Sequence, residues 1–236
     1  MQAPSTWSGA YAGVSLGARW SDVGWSTTGT SDASGAIVPG QVSSDANMSF
    51  DSTTFRAGGY FGYNFQVSPA WIIGVEGDAA WGRSRTTNAG IPGTGVLGIG
   101  SGRLAVDTSS AQTNWDASLR ARLDYLITPG WLLYTTGGIA FQDFKVSASC
   151  SGTLPSWCSA PSTNSFSTVR VGWTIGGGLE TLIDRQWLAR IEYRYADFGH
   201  DNLEFFAGSI DAVTVQMKLQ THTALIGIAR KFDVMK

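Results

Sequence analysis

The chain has 236 residues, which is enough for one large all-β domain or for two ordinary domains. Charged residues make up 14% of the chain, against roughly 25% in a typical soluble domain, and aromatic residues make up 12%. The net charge of −2 and the lack of a basic run argue against a nucleic-acid surface, and no stretch approaches the ~18 apolar residues of a membrane helix. Such a chain must either bury a sandwich core or face lipid through alternating strands.

The N-terminal stretch Met1–Trp7 has no basic region and no apolar core, whereas a secretion signal has both. We therefore expect a mature N-terminus with an added methionine. The alternative is a cytoplasmic protein that never carried a signal.

Eight segments of alternating polarity follow along the chain. Alternation with period two is typical of strands, and each segment can cross a membrane, which takes about 9–11 residues in a tilted strand. We place the predicted strands near residues 8–20, 54–66, 71–82, 113–126, 131–144, 168–182, 187–198 and 220–232.

The connections fall into two classes. Three are tight turns, and in each case a tryptophan (Trp71, Trp131 or Trp187) opens the next strand. The other four are long and polar, near residues 21–53, 83–112, 145–167 and 199–219. Short turns at one end and long loops at the other predict an eight-stranded antiparallel up-and-down transmembrane β-barrel. Its short turns are periplasmic, its four long loops are extracellular, and residues 1–236 form a single domain.

The two faces of the predicted strands differ in chemistry. In the fourth strand Trp115, Leu119 and Tyr125 share one face, and Asp116 and Arg120 share the other. A narrow barrel could hardly enclose so many large rings, and aromatics at strand ends are typical of interfacial girdles, so we expect the apolar face to meet lipid. The predicted aromatic girdle is Trp71, Trp81, Trp115, Tyr125, Trp131, Trp187, Tyr195 and Phe232.

The charged faces then point into the lumen, where opposite charges nearly balance. The predicted charge network is Arg56, Glu76, Asp78, Asp116, Arg120, Arg122, Asp124, Arg170, Glu180, Arg190, Glu192 and Arg194. An eight-stranded barrel is just wide enough for side chains to fill, and buried charge is costly unless paired. We expect a paired network that plugs the lumen; the alternative is an ion path or a gated pore.

Cys150 and Cys158 are the only cysteines and lie in one Ser/Gly/Pro-rich stretch. This spacing suits a disulfide in an oxidising compartment, with roughly 2–3 kcal/mol of stabilisation. Two free thiols are the alternative, and a metal site is not expected because no further cysteine or nearby histidine completes a ligand set.

Catalysis would need a nucleophile, a base and an acid within hydrogen-bond reach. The candidates are His200 with Asp201, and His222 with Thr221 and Thr223. His200 and Asp201 fall in a predicted loop. Adjacent side chains on a strand point to opposite faces, so neighbours in the sequence would not converge on one site there. Neither histidine has a recognisable partner, so we predict no enzymatic activity.

The long loops contain apolar clusters, which usually mark contacts. They occur at Gly90–Gly100, at Leu154–Trp157, at Phe205 with Phe206, and at Ile210. The clusters could pack against each other as a lid, or meet another barrel, lipopolysaccharide or a host molecule. We slightly favour packing as a lid.

Several motifs together resemble the small outer-membrane β-barrel proteins of alphaproteobacteria, a family similar to the Opa-like and OmpA-type barrels. The motifs are Trp7–Gly13, Gly62–Gln66, Gly74–Asp78, Leu132–Gly138 and Leu188–Tyr195. The resemblance implies structural, envelope-stabilising or host-facing roles, and some members are reported to bind haemin or to behave as weak porins. One departure is that such barrels usually end in an aromatic residue, whereas Asp233–Lys236 follow Phe232 here.

We therefore predict an integral barrel of the bacterial outer membrane, without cofactor or metal, that stabilises the envelope and displays its loops. Its expected partners are outer-membrane lipid and lipopolysaccharide, with a second barrel or an extracellular molecule as further candidates and no nucleic acid. The alternatives are a narrow porin for ions or very small solutes, and a surface receptor for haemin or a host component. The two histidines give poor support for a haem site.

Overall fold

The computed structural model describes residues 7–31, 34–95, 106–153, 156–184 and 186–232. These ranges contain no helix that is long and apolar enough to cross a membrane. The strands are β1 (Gly9–Ser31), β2 (Ile37–Pro39), β3 (Asn47–Ser49), β4 (Ser52–Gln66), β5 (Trp71–Ala89), β6 (Thr108–Thr128), β7 (Trp131–Cys150), β8 (Ser162–Leu182), β9 (Trp187–Phe205) and β10 (Val213–Phe232). Met1–Thr6 and Asp233–Lys236, on which two sequence expectations depend, lie outside the described residues.

Eight of the strands form a closed antiparallel barrel. From β4 to β10 each strand pairs with its neighbour in the chain, and β4 also pairs with β1. The last strand returns to the first, with a register that runs from Ala10 opposite Phe232 to Thr30 opposite Val213. Closure leaves no free edge among the eight strands at membrane height, as a lipid environment requires. The predicted eight-stranded up-and-down barrel is confirmed, and β2 and β3 are short additions that pair with β1 above it.

The three tight turns lie where the sequence places them. After β4 the amide of Val67 donates to the carbonyl of Trp71, and after β8 the amide of Ile183 donates to the carbonyl of Trp187. Between β6 and β7, Thr128 pairs directly with Trp131. Each tryptophan therefore begins a strand immediately after a turn.

The strands continue well beyond their predicted ends at the loop side of the barrel. For example, β1 extends to Ser31 rather than to residue 20, and β9 extends to Phe205 rather than to residue 198. His200 and Asp201 are therefore strand residues and not loop residues. The connections at this end are therefore shorter than predicted: residues 206–212, for example, are all that separates β9 from β10.

β10 shows why the sequence pattern hid these extensions. Between Val213 and Leu219 its inward side chains are apolar and its outward ones polar, whereas beyond residue 220 the inward side chains include threonines and the outward ones isoleucines. Outside the membrane the wall faces water, so its interior must be apolar as in a soluble protein. The alternation therefore inverts where each strand leaves the bilayer.

Inward-facing glycines allow the wall to curve tightly. A Cβ atom added to Gly17 would lie 2.1 Å from the carbonyl oxygen of Ala224, and one added to Gly138 would lie 2.1 Å from that of Leu119. Neighbouring backbones approach too closely at these points for any other residue. Glycines at such points in a strand are typical of strongly bent small barrels.

Candidate functional site: the charged lumen and its extracellular cap

The membrane-level lumen is lined by charged side chains that the strand alternation directs inward. β6 contributes the most, because Asp116, Arg120, Arg122 and Asp124 all occupy its inner face and are buried. β5 and β9 supply most of the others. Period two and closure of the sheet together bring residues from distant parts of the chain into one enclosed space.

The layer of charges nearest to the loops is centred on Asp116. Its Oδ2 lies 2.5 Å from Nη1 of Arg19, and its Oδ1 lies 2.6 Å from Nη2 of Arg56. Arg56 also contacts Asp78, whose Oδ1 accepts a hydrogen bond of 2.8 Å from Nη1 of Arg194. Two carboxylates thus contact three guanidinium groups in this layer.

Glu76 is the centre of the next layer. Its Oε1 lies 2.5 Å from Nη2 of Arg120, and its Oε2 lies 2.5 Å from Nη1 of Arg190. Arg120 also binds Glu192 at 2.7 Å through its other terminal nitrogen. Each of these four side chains is at most 4% exposed.

The third layer lies towards the short turns and is organised by Arg122. Its Nε donates to Asp124 at 2.8 Å, and its Nη1 donates to Glu180 at 3.2 Å. The guanidinium also lies over the ring of Tyr134, 3.9 Å from the centroid, a cation–π geometry. Asp124 is fully buried.

Three tyrosines and one arginine complete the site, and the sequence analysis did not assign them to it. Tyr11 donates to Glu76 at 2.8 Å, Tyr134 donates to Glu192 at 2.9 Å, and the ring of Tyr60 lies 3.5 Å below the guanidinium of Arg190. The arginine is Arg19. The sequence contained a signal for two of these residues, because Tyr11 and Arg19 share one face of the alternation in β1.

The resulting lumen network contains equal numbers of the two charges. Its arginines are Arg19, Arg56, Arg120, Arg122, Arg190 and Arg194, and its acids are Glu76, Asp78, Asp116, Asp124, Glu180 and Glu192. Lys231 is also buried, near the short-turn end of β10. Charges in an interior with little water must be paired, because one unpaired buried charge costs several kcal/mol.

Arg170 is the member of the predicted charge network that the structure does not place with the others. It lies nearer to the loops, where it contacts Asp201 and donates to the carbonyl of Met217 at 3.3 Å. Its guanidinium is 5.8 Å from the ring centroid of Phe144. Of the twelve predicted residues, eleven belong to the lumen network.

A small cavity lies between the charged layers and the part of the barrel above them. Its volume is about 20 Å³, which is room for about one water molecule. Arg19, Gln142 and Thr174 are among its lining residues. The Oε1 of Gln142 is buried and has no hydrogen-bond partner among the described residues, so a water molecule there would satisfy it.

Above the charges the interior of the barrel contains a buried apolar cluster, the apolar cap, which we define by its aromatic and methionine side chains, Trp25, Phe50, Phe144, Phe205 and Met217. Trp25 stacks on Phe205 with ring centroids 5.1 Å apart and packs against Phe50 at 5.8 Å. The disulfide between Cys150 and Cys158 is buried in the same cluster. The barrel therefore has two interiors of opposite chemistry, one above the other.

The described loop residues form a ring of hydrogen bonds over the cap. The first loop binds the second through Ser43 and Gly93, and the third binds the fourth through Ser159 and Asp211. The fourth loop returns to the end of β1, where the amide of Ser31 donates to the carbonyl of Ala212.

Asp107 joins the second loop to the third. Its buried carboxylate accepts hydrogen bonds from Ser151, Ser156 and Trp157 at 2.7–3.0 Å. Among the apolar loop residues of the sequence analysis, Ile91, Phe205 and Phe206 are buried in the cap cluster, Trp157 packs against it, and Ile210 is exposed. Val96–Gly100, Leu154 and Pro155 lie outside the described residues.

The predicted aromatic girdle forms two bands on the outer surface. At the short-turn end Trp71 and Tyr125 contact each other, with ring centroids 5.0 Å apart. At the loop end Trp81 pairs across the strands with Trp115, and Tyr195 contacts Trp173, a residue outside the predicted set. The other predicted members, Trp131, Trp187 and Phe232, are exposed near the turns.

His222 has partners that the sequence analysis missed. Its Nδ1 lies 2.6 Å from the hydroxyl of Tyr193, and its Nε2 lies 3.8 Å from Asp22. Thr221 and Thr223 are buried in the barrel while His222 is on the outer face, so the three do not converge. In the other candidate pair, His200 with Asp201, the carboxylate of Asp201 contacts Arg170. Among the described residues no group of three or more His, Cys, Asp or Glu side chains could hold a metal ion.

A closed antiparallel barrel with an apolar, aromatic-bordered exterior and a charged interior defines an integral outer-membrane protein. The family described as "Outer membrane protein beta-barrel domain" matches residues 1–232, and the chain belongs to that family.

Relatives and a solved structure agree with this assignment. The chain is 30% identical over 227 residues to the 25 kDa outer-membrane immunogenic protein of Brucella abortus biovar 1 (strain 9-941), covering 96% of this chain and 80% of that protein. It is 27% identical over 161 residues to the 22 kDa outer membrane protein of Rhizobium leguminosarum bv. viciae, covering 67% and 61% of the two chains. OprG from Pseudomonas aeruginosa shares the fold, with a TM-score of 0.58, 14% identity, and 96% and 97% coverage. The resemblance to alphaproteobacterial outer-membrane barrels and the outer-membrane location are confirmed.

Proposed function

We propose that this protein is a closed outer-membrane barrel that stabilises the envelope and presents a packed loop surface to the exterior. The observation that carries the proposal is the lumen network, in which six arginines and six acids pair across the barrel. A lumen filled by paired charges leaves no continuous aqueous path.

Two of the ion pairs span the full width of the barrel, which supports closure. β5 and β9 are four strands apart in the ring of eight, so they face each other. Arg190 on β9 binds Glu76 on β5 at 2.5 Å, and Arg194 on β9 binds Asp78 on β5 at 2.8 Å. To open a path, both pairs would have to separate inside a site of low dielectric constant, which is costly.

The apolar cap is a second barrier in series with the charges. Ions lose hydration on passing an apolar constriction, so a dry cap blocks conduction even if the charged layers fluctuate. Trp25 and Phe205 stack within this cap, above the charged layers. A porin would keep this region open and polar.

The loop ring supports the interaction part of the proposal. Because the described residues of the four loops bind one another, we infer that these parts of the loops form one continuous surface. The Brucella abortus relative is named an immunogenic outer-membrane protein, and we extend surface recognition to the loops of this chain on that basis.

Liposome swelling tests closure. Liposomes that contain the refolded protein are diluted into isotonic solutions of arabinose or of a small amino acid. We expect no swelling above protein-free liposomes, and swelling equal to that of a known porin would overturn the proposal. A triple variant that weakens both barriers, Trp25→Ala with Arg190→Ala and Glu76→Ala, tests whether a path opens when the charged layers and the cap are removed together.

A further inference from the structure

The barrel wall has an unpaired joint above the membrane, between β8 and β9. These two strands pair as far up as Trp173 opposite Asp197. Above this pair both strands continue, to residues 162 and 205, and each stays paired with its other neighbour, β7 or β10. Within the described residues, two strand edges therefore face each other without a ladder. We call the space between residues 163–169 of β8 and residues 199–204 of β9 the wall gap.

A β-bulge in β9 lies where the two strands part. The register of β9 with β10 shifts between Lys218 and Gln220, so that Phe198 and Gly199 of β9 lie opposite Leu219 alone. Gly199 has a φ of +66°, a left-handed conformation that glycine adopts without strain. Because bulges bend a strand and end its pairing, the gap is a property of the β9 backbone.

The exposure of consecutive residues indicates that both edges are open to solvent. In a strand that is covered on one face, exposed and buried side chains alternate. In β8, however, Ser167, Thr168 and Val169 are all exposed, and in β9 the residues 199–202 are all exposed. Both edges are therefore accessible from outside the barrel.

Side-chain contacts tie the two edges together at the ends of the gap. At the upper end the ring of Phe166 meets the ring of Phe205, with centroids 5.0 Å apart. At the lower end the carboxylate of Asp201 contacts the guanidinium of Arg170, which also donates to the carbonyl of Met217 at 3.3 Å. These contacts keep β8 beside β9 without using the backbone groups of either edge.

Two turn hydrogen bonds show which backbone groups of β8 point into the gap. The amide of Leu182 donates to the carbonyl of Gly130 on the β7 side, and the amide of Ile183 donates to the carbonyl of Trp187 on the β9 side. Backbone groups alternate between the two sides of an antiparallel strand, and β8 pairs with β7 without a register shift. The odd-numbered residues of β8 therefore direct their N–H and C=O groups towards β9. In the wall gap these residues are Thr163, Ser165, Ser167 and Val169.

We propose that the wall gap is a docking site for an extended segment of another polypeptide, which adds to the free edge of β8 as a further strand. An exposed row of N–H and C=O groups is a template for pairing with another chain, and the main-chain hydrogen bonds supply the affinity. The stretch from Thr163 to Val169 spans roughly 20 Å at about 3.3 Å per residue, which matches a strand of about six residues. The site lies in the wall below the loop ring and does not depend on whether the lumen conducts.

The surroundings of the gap define the sequence that the segment needs. Phe166 and Leu203 border the gap on its inner side, where they pack against the apolar cap, whereas the outer side meets water. An added strand must therefore alternate apolar residues, directed inward, with polar residues, directed outward. Glu204 is exposed beside the gap and makes no ion pair within the described ranges, while Lys145 and Lys218 lie one strand further away. A basic residue on the polar face of the segment complements Glu204.

Hydrogen exchange, followed by NMR on the refolded protein in micelles, tests the open edge. We expect the odd-numbered amides of residues 163–169 to exchange at least tenfold faster than the even-numbered amides, which bind β7. Slow exchange at the odd-numbered amides of the free protein would overturn the proposal, because part of the same chain would then cover the edge. Protection that grows with protein concentration would overturn it in favour of pairing between two copies.

The probe for the partner is a synthetic peptide, Thr-Val-Lys-Val-Thr-Val-Lys-Val-Thr, in which valine alternates with polar residues. The double variant S165P/S167P removes two N–H groups that point into the gap and keeps those that bind β7. S165A/S167A removes only the hydroxyl groups and is the matched control. We expect S165P/S167P to bind the peptide at least tenfold more weakly than the wild type and the control to change less than twofold. Heat-modifiable migration on gels shows that each variant is folded.

Modified peptides test the same pairing on the wild-type protein, whether or not the proline variant folds. Methylation of alternate peptide nitrogens removes the donors of one edge, and one of its two phases should weaken binding at least tenfold. E204Q should weaken binding of the lysine peptide two- to fivefold and leave unchanged that of a peptide with glutamine in place of lysine. Equal binding of the unmodified and both methylated peptides, equal affinities of the proline and alanine variants, or no saturable binding of the unmodified peptide would each overturn the proposal.

Discussion

Arg190 and Glu76 stand on opposite walls of the barrel, yet their charged atoms lie 2.5 Å apart. The arginine also covers the ring of Tyr60, and the glutamate also receives Arg120 and the hydroxyl of Tyr11. Glu76 is thus the point at which several strands are tied together through the lumen. The narrow diameter of an eight-stranded barrel makes such direct contact possible.

Glu76→Gln should destabilise the barrel strongly. The substitution keeps the shape but leaves the guanidinium groups of Arg120 and Arg190 without their shared carboxylate. Removing one partner of a buried ion pair costs about 3–5 kcal/mol. Urea unfolding of the refolded protein measures the loss, with Glu204→Gln on the exposed surface as the control. A loss for Glu76→Gln as small as that of the control would show that the network does not stabilise the fold.

Trp25→Ala should loosen the extracellular part of the barrel and leave the membrane part intact. Truncating a buried tryptophan costs about 3–5 kcal/mol, and here it removes the stacking partner of Phe205. We expect faster proteolysis of the loops with unchanged heat-modifiable migration. Ile210→Ala, at an exposed loop position, should change neither property. Resistance to protease equal to that of the wild type in Trp25→Ala would contradict a structural role for the cap.

Asp107→Ala should open the third loop. The substitution leaves the amides of Ser151 and Trp157 and the hydroxyl of Ser156 without their acceptor. Unsatisfied buried groups cost about 1–3 kcal/mol each, so hydrogen exchange at these amides should accelerate at least tenfold. Asp184→Ala, which removes a turn acceptor at the periplasmic end, is the matched control and should leave the third loop unchanged.

Reduction of the disulfide between Cys150 and Cys158 should act locally. The pair closes a short loop, which corresponds to a stabilisation of roughly 2–3 kcal/mol. We expect the reduced protein to keep its barrel and to lose protection in the third loop, where Cys158 follows Trp157. Global unfolding in a reducing agent, measured by circular dichroism, would assign the disulfide a larger role than this structure gives it.

Period-two alternation was sufficient to predict the membrane part of the fold. The inward position of Asp116, Arg120 and Arg122 follows from the spacing of their own strand, and the closed ring follows from short turns and long connections. Arg19 obeys the same rule and could have been included. The same reasoning failed above the membrane, because water surrounds the wall there and the apolar face of each strand points inward instead of outward.

Other features depend on long-range contacts that a single sequence does not reveal. Asp107 looks like an ordinary loop acid, and only the folded chain brings it to Ser156, which is 49 positions away. The bulge at Asn114 and Trp115 interrupts the alternation of β6 by one residue. Arg170 has the right parity for the lumen but lies at the loop end of the strand predicted over residues 168–182, and its partner is Asp201.

Single-channel recording in a planar bilayer tests the closed lumen most directly. The refolded, heat-modifiable protein should insert and remain electrically silent across a wide range of voltage. Discrete and reproducible openings whose size or ion selectivity changes with Arg120→Glu or Arg122→Glu would place the ion path through the lumen network, contradict the closed barrel and identify a narrow porin.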